Sequence, residues 1–182
     1  MIQKSKILVA NPFLKEPYFS QTVILLTEHN KGGSMGFVLN RKLELSLQDV
    51  VSGFLFFDAP IYYGGPVEEN ALFYIHTYPQ ISGALEIMPN LYWGGDFEEI
   101  KNTINTTLPT TATIRFFAGY SGWGIGQLQS EIDNDTWLLQ KISLSEIMQE
   151  EHLPTLWQKR IRFSNEERYA YWANIPQNPS LN

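Results

Sequence analysis

The densest chemistry-bearing stretch of this chain is residues 119–128, GYSGWGIGQL. A serine among glycines raises the question of a nucleophile, and a glycine run that of a phosphate cradle. The nucleophile elbow of hydrolases needs Gly-x-Ser-x-Gly, because small flanking residues let a strand turn sharply under the serine. Here the order is Gly119-Tyr120-Ser121-Gly122-Trp123, so the second glycine comes one position early and an indole stands in its place. The dinucleotide fingerprint needs glycines at its first, third and sixth positions. Counting from Gly122 puts Gln127 at the sixth, and counting from Gly124 puts Gln129 there. No Gly-Lys-Ser or Gly-Lys-Thr occurs, so the P-loop pattern is absent. Three readings stay open: a backbone anion site where the loop enters a helix, a triad of Ser121 with His29, His76 or His152, or a plain corner in which Ser121 bonds its own turn.

Other reactive residues are scattered. The three histidines form no His-x-x-x-His pair and neighbour no acidic ligand cluster, and there is no cysteine, so a metal site and a cofactor are not expected. Glu68-Glu69 reads as a polar turn, and Glu98-Glu99 suits a helix N-terminus, where the dipole favours negative charge. Asn40-Arg41 is of greater interest. Arg41 is the only arginine in the first hundred residues and follows a predicted strand. Its fork suits an internal acid or an anionic ligand.

The elements that must position these groups are read from periodicity and breakers. Ile7–Ala10 is a strand stopped by Asn11-Pro12. Thr22–Thr27 and Met35–Asn40 are strands joined through a polar turn cluster, 29–34, as an antiparallel hairpin. Ser46 and Asp49 make a capping box for a short helix. The apolar but unperiodic 53–59 reads as loop, and Ile61–Tyr63 leads into the breaker Gly64-Gly65-Pro66. Ala71–Thr77 is a further strand, and Ala84–Met88 and Leu91–Trp93 flank a turn at Pro89-Asn90. Asp96 caps a helix bearing Phe97, Ile100 and Ile104 on one face and ending near Leu108-Pro109, with Glu99 reaching back. Thr113–Ala118 is a strand that turns sharply at the glycine stretch into a short helix, 127–132, followed by strand Thr136–Ile142. Helical spacing then covers 145–150, 154–162 and 165–173, the last with Ser164 and Glu167 as capping box. An extended tail, 175–182, closes the chain. Strands come first and helices last, which points to α+β with a mainly antiparallel sheet in one domain, 1–182, whose C-terminal part, 143–174, is helical.

Composition bounds the function. With 182 residues and 43% hydrophobic content the chain can bury a sizeable core. A formal net charge of −6 opposes direct nucleic-acid binding, which needs a basic stripe. The best basic cluster, Lys159, Arg160 and Arg162, reads as a solvated helix face. The absence of cysteine, of a signal-peptide core and of any long apolar run gives the expectation of a cytoplasmic protein without a membrane segment.

Three stretches in order resemble the YqgE/AlgH family. The first is LVANPFLKEPYFSQTVILLTEHNKGGSMGFVLNR, with Ala10, Pro12, Phe19, Glu28-His29 and Gly36 through Arg41 at the family's positions. The second is Gly64-Gly65-Pro66-Val67 followed by Leu72-Phe73 and His76. The third is the Gly119–Leu128 stretch with Glu131 and Trp137 after it. The resemblance covers roughly 6–140. It implies a bifurcated sheet curled into a pseudo-barrel with peripheral helices, and a family without an established enzymatic activity. One branch is named for transcriptional regulation, which the charge of this chain would make indirect. The expectation is a non-catalytic regulatory or interaction protein with a protein or small-molecule partner. Its contact residues would come from Asn11, Asn40, Arg41, Gly65, Tyr120, Trp123 and Gln127. The alternative is a small-molecule or anion binder, or a hydrolase, with a cleft where Asn11, Arg41, Gly65 and Gln127 converge.

Overall fold

A computed structural model of the chain describes residues 1–107 and 109–164. The expected helix 165–173, its capping partner Glu167, the tail and Leu108 lie outside the described residues. In chain order come β1 (Lys6–Ala10), β2 (Val23–Asn30), β3 (Gly33–Val38), β4 (Lys42–Ser46), α1 (Leu47–Val50), β5 (Pro60–Tyr63) and β6 (Val67–His76). They are followed by β7 (Leu85–Met88), β8 (Leu91–Trp93), α2 (Phe97–Thr107), β9 (Ile114–Trp123), α3 (Gln127–Asp133) and β10 (Trp137–Lys141). The chain continues through α4 (Leu144–Met148), a 3-10 turn (Glu150–Thr155) and α5 (Leu156–Arg162).

The fold is α+β. Among the described residues the strands form one sheet in the order β10-β1-β2-β3-β9-β6-β8-β7, with β4 and β5 branching from β9. All ladders are antiparallel except β5 on β9. The branch lies on one edge of β9: Phe116–Ala118 pair with β5, and Ser121–Trp123 pair with β3. The sheet curls, because residues from β1 and β7 share one apolar cluster and Lys4 Nζ donates to the Glu86 carbonyl at 2.6 Å. Its end strands β7 and β10 do not pair with each other, so it stays open.

Strand alternation divides the core. Phe117 of β9 points into a cluster that includes Ile7, Leu25, Phe37 and the fully buried Trp157 of α5. Its neighbour Phe116 points into a second cluster with Phe54, Ile61, Tyr74 and the α2 residues Ile100 and Ile104. The indole of Trp157 donates to the Ala10 carbonyl at 2.8 Å and fixes α5 on β1.

Three local expectations are corrected. The turn cluster 29–34 shrinks to Lys31-Gly32, because cross-strand pairing continues through His29↔Ser34 and Asn30↔Gly33. Asp96 does cap α2, accepting from the Glu99 amide at 2.9 Å. The Glu99 carboxylate does not reach back, since it accepts from both the amide and the hydroxyl of Ser82 at 2.8 Å, while the Asp96 amide donates to the Ser82 carbonyl. Finally, β9 does not turn at Gly119. It runs straight on to Trp123, and the corner comes at 124–126, where Gly126 takes φ +73°. The Ser46–Asp49 capping box of α1 forms as expected.

Candidate functional site

The two glycine motifs are one structural device. β5 lies on one edge of β9 and β6 on the other, so the Gly64-Gly65-Pro66 link must cross the face of β9. Backbone passes over backbone there. A Cβ at Gly64 would meet the Gly119 carbonyl, one at Gly119 would meet the Gly65 carbonyl, and one at Gly65 would meet the Tyr120–Ser121 peptide. Gly119 also holds φ +68°, which L side chains adopt with strain. Ser121 is 0% exposed and donates its hydroxyl to the Gly64 carbonyl at 3.0 Å, which also accepts from the Val38 amide. Ser121 thus bonds a peptide 57 residues away rather than its own turn. Buried in a strand, it offers no accessible nucleophile.

The other motif residues lock neighbouring segments. Asn40 accepts from the Val23 amide at 2.8 Å and donates to the Gln21 carbonyl at 2.9 Å. Arg41 donates to the carbonyls of Pro17, Tyr18 and Ser20, with its guanidinium 5.6 Å from the Tyr63 ring centre. Backbone carbonyls of the 17–20 loop take its donors, and Glu16 is the carboxylate whose field reaches it. Asn11 accepts from the Phe13 amide and donates to the Asp135 carbonyl. Glu131 accepts from the indoles of Trp123 at 2.8 Å and Trp137 at 2.7 Å, and from the Gln127 amide at 2.9 Å. Gln127 also accepts from the Gly124 amide, closing the corner. The basic cluster of α5 is not merely a solvated face, since Arg160 bonds Glu146 at 2.6 Å and the Lys141 carbonyl at 2.9 Å.

A concave groove of about 490 Å³ opens beside the crossing, between the β2–β3 hairpin and the end of β9. Gly32, Gly33 and Gly122 leave it open. Glu28, Asn30 and Ser34 supply polar atoms, and Tyr120 and Trp123 supply aromatic surface. Of the residues expected at a site, Tyr120 and Trp123 line this groove; Asn11, Asn40, Arg41, Gly65 and Gln127 do not. Gly65 contributes from behind by shaping the crossing. The sequence reading missed Glu28, Asn30 and Ser34. Their signal was the Glu28-His29 pair, read as a turn because no local pattern shows that hairpin pairing persists to Asn30.

The electrostatics of the groove are one-sided: among the described residues Glu28 is the only charged one lining it. Ser34 pairs across the sheet with His29 on β2 and Trp123 on β9. Its hydroxyl lies 2.8 Å from His29 Nδ1. The buried His76 makes different use of its ring. Nδ1 accepts from the Tyr78 amide, so the proton sits on Nε2 and is donated to the Gly94 carbonyl. Burial lowers its pKa from the usual histidine value, against the pull of those backbone bonds. Among the described residues no three His, Asp or Glu side chains gather as a metal site. No helix there is long and apolar enough to cross a membrane.

Comparison with known proteins puts the same elements in other chains. Residues 7–167 match the AlgH-like family. A UPF0301 protein of Chlorobaculum tepidum is 37% identical, the alignment covering 100% of this chain and 97% of the relative. One of Bacteroides fragilis is 39% identical, over 100% of this chain and 92% of the relative. The crystal structure of a Corynebacterium diphtheriae protein superposes with a TM-score of 0.75 at 22% identity, covering 96% of this chain and 93% of that one. The solution structure of the AlgH protein from Pseudomonas aeruginosa gives 0.69 at 26% identity, covering 98% and 100%. With the glycine crossing, the branched sheet and a match that runs from β1 past the end of α5, this chain belongs to the AlgH-like family.

Proposed function

We propose that this chain is a non-catalytic interaction protein of the cytoplasm that acts in regulation through a partner seated in the hairpin groove. One observation carries the reading. The polar side chains of the motifs are spent on internal carbonyls, amides and indoles, while the groove beside them keeps Glu28 and Tyr120 at an open surface, with Asn30, whose oxygen closes the Gly32 turn, beside them. A groove whose only charged lining residue, among the described residues, is a carboxylate favours a neutral or basic partner segment over a phosphate, so a direct nucleic-acid role has no support here. Aromatic surface flanked by hydrogen-bonding groups suits a contact hot spot.

Gly122 gives a clean test. It lies in ordinary strand conformation, and an added Cβ meets side chains alone, the Tyr120 ring edge at 3.2 Å and Val67 Cγ2 at 3.9 Å. Gly122→Val therefore fills the groove by displacing the Tyr120 ring by a few tenths of an ångström, with no backbone in its way. Capture from bacterial lysate should recover proteins with the wild-type chain that are lost with Gly122→Val and Tyr120→Ala, at unchanged circular dichroism. Equal recovery by all three folded chains sinks the groove as the contact surface.

A second reading rests on the Ser34–His29 contact. It would make the groove a small hydrolase or ligand site. No acidic side chain bonds the His29 ring among the described hydrogen bonds, which argues for the non-catalytic reading. Hydrolysis of p-nitrophenyl esters that disappears in Ser34→Ala would reverse that preference.

A further inference from the structure

Arg115 is the least expected residue in the interior. It sits near the start of β9 at 3% exposure, on the face that carries Phe117. Its guanidinium lies 4.9 Å from the centre of the Tyr62 ring. Nε and Nη1 are buried and have no acceptor. The indole nitrogen of Trp93 is buried without an acceptor as well. The two residues are neighbours in the sheet, because Ile75 of β6 pairs with Arg115 on one side and Trp93 on the other. Directly paired residues project to the same face, so both donors rise from one surface.

The local charge does not balance. Glu150 is the carboxylate whose field reaches Arg115, and the Tyr62 hydroxyl also turns to it. That same carboxylate bonds Lys42 at 3.1 Å. Two cations thus share one carboxylate, one of them walled by Tyr62 and close to Phe117, which stacks on Phe37 at 4.7 Å. A guanidinium out of water calls for a full set of acceptors, and leaving its donors empty is strongly unfavourable.

We propose that Arg115 and Trp93 are the donor half of an internal binding site for one small oxyanion, a carboxylate or phosphate group. The guanidinium supplies charge and two N–H groups, and the indole a third donor from β8, on the far side of β6, a donor set suited to planar or tetrahedral oxygens. The site shares no residue with the hairpin groove and stands or falls independently of it.

The test is thermal unfolding of the full chain in a zwitterionic buffer, titrated with inorganic phosphate or with acetate. Sodium chloride at matched ionic strength is the control, because phosphate also stabilises proteins by exclusion. Filling the site to a hundred times its Kd should raise the wild-type Tm by about 5–10 °C. Trp93→Phe, which removes only the N–H, should reduce the rise, and Arg115→Met should abolish it. Arg115→Met should also melt at or above the wild type without anion, which separates a lost site from a failed fold. Neither anion shifting the wild type more than chloride, or shifts kept in full by either variant, overturns the proposal.

Discussion

A hydroxyl can act only where a substrate reaches it, and Ser121 is sealed under the Gly64 carbonyl. Because that carbonyl keeps the Val38 amide, Ser121→Ala should cost only about 1 kcal/mol by chemical denaturation. Gly119→Ala acts differently. It sets a Cβ against the Gly65 carbonyl at positive φ, so strain and overpacking together should remove about 3–5 kcal/mol. At His76 the folded pKa lies below the unfolded value of 6.5, so the unfolded chain binds more protons in the window beneath 6.5. Stability is therefore fully present above that window and falls as pH drops through it. The contribution is no steeper than about 1.4 kcal/mol per pH unit. His76→Gln should flatten the loss between pH 7 and pH 5 in thermal melts, and an unchanged profile would remove His76 as its source.

At the scale of elements, stability depends on how the helices are tied to the sheet. The carboxylate of Glu131 gathers two indoles and an amide, joining α3 to β9 and β10. Glu131→Gln keeps the shape but turns an N–H₂ toward donors. It should cost about 2–3 kcal/mol and change the tryptophan emission. α5 depends on Trp157, fully buried and bonded to Ala10. Trp157→Ala should cost about 3–5 kcal/mol, read as a lower denaturant midpoint at unchanged slope. These ties also explain why local patterns were legible. The strands around 7–10, 23–27 and 71–76, the caps at Ser46 and Asp96, and the helix at 127–133 follow from spacing and breakers within a short window. The continuation of β9 through its glycines did not, because it is set by β3 and β6 on either side.

For the whole molecule, a net charge of −6 and a groove whose only charged lining residue is Glu28 set the field a partner meets. Duplex DNA at physiological salt should give no retardation with this chain, and tight, salt-dependent binding would contradict the interaction reading. A basic or neutral segment is the expected occupant, favoured at low ionic strength through Glu28.

The sequence by itself determined the α+β class, most strands, the helix caps and the family, since hydrophobic period, capping chemistry and ordered motifs act over short range. Counting alone also showed that the P-loop, dinucleotide and nucleophile-elbow patterns are not met. Only the tertiary structure decided what the motif residues do. Gly65 and Gly119 are 54 positions apart, yet a Cβ on Gly119 would meet the Gly65 carbonyl and one on Gly65 the Tyr120–Ser121 peptide that follows Gly119. Asn40, Arg41 and Gln127 read as candidate contact groups in one dimension, and in three their side chains bond groups of distant or neighbouring segments of the same chain. The groove is left open by its glycines, and Arg115 keeps two donors without an acceptor beside Tyr62. Contacts between distant segments are fixed by packing, and packing is not written in any local window.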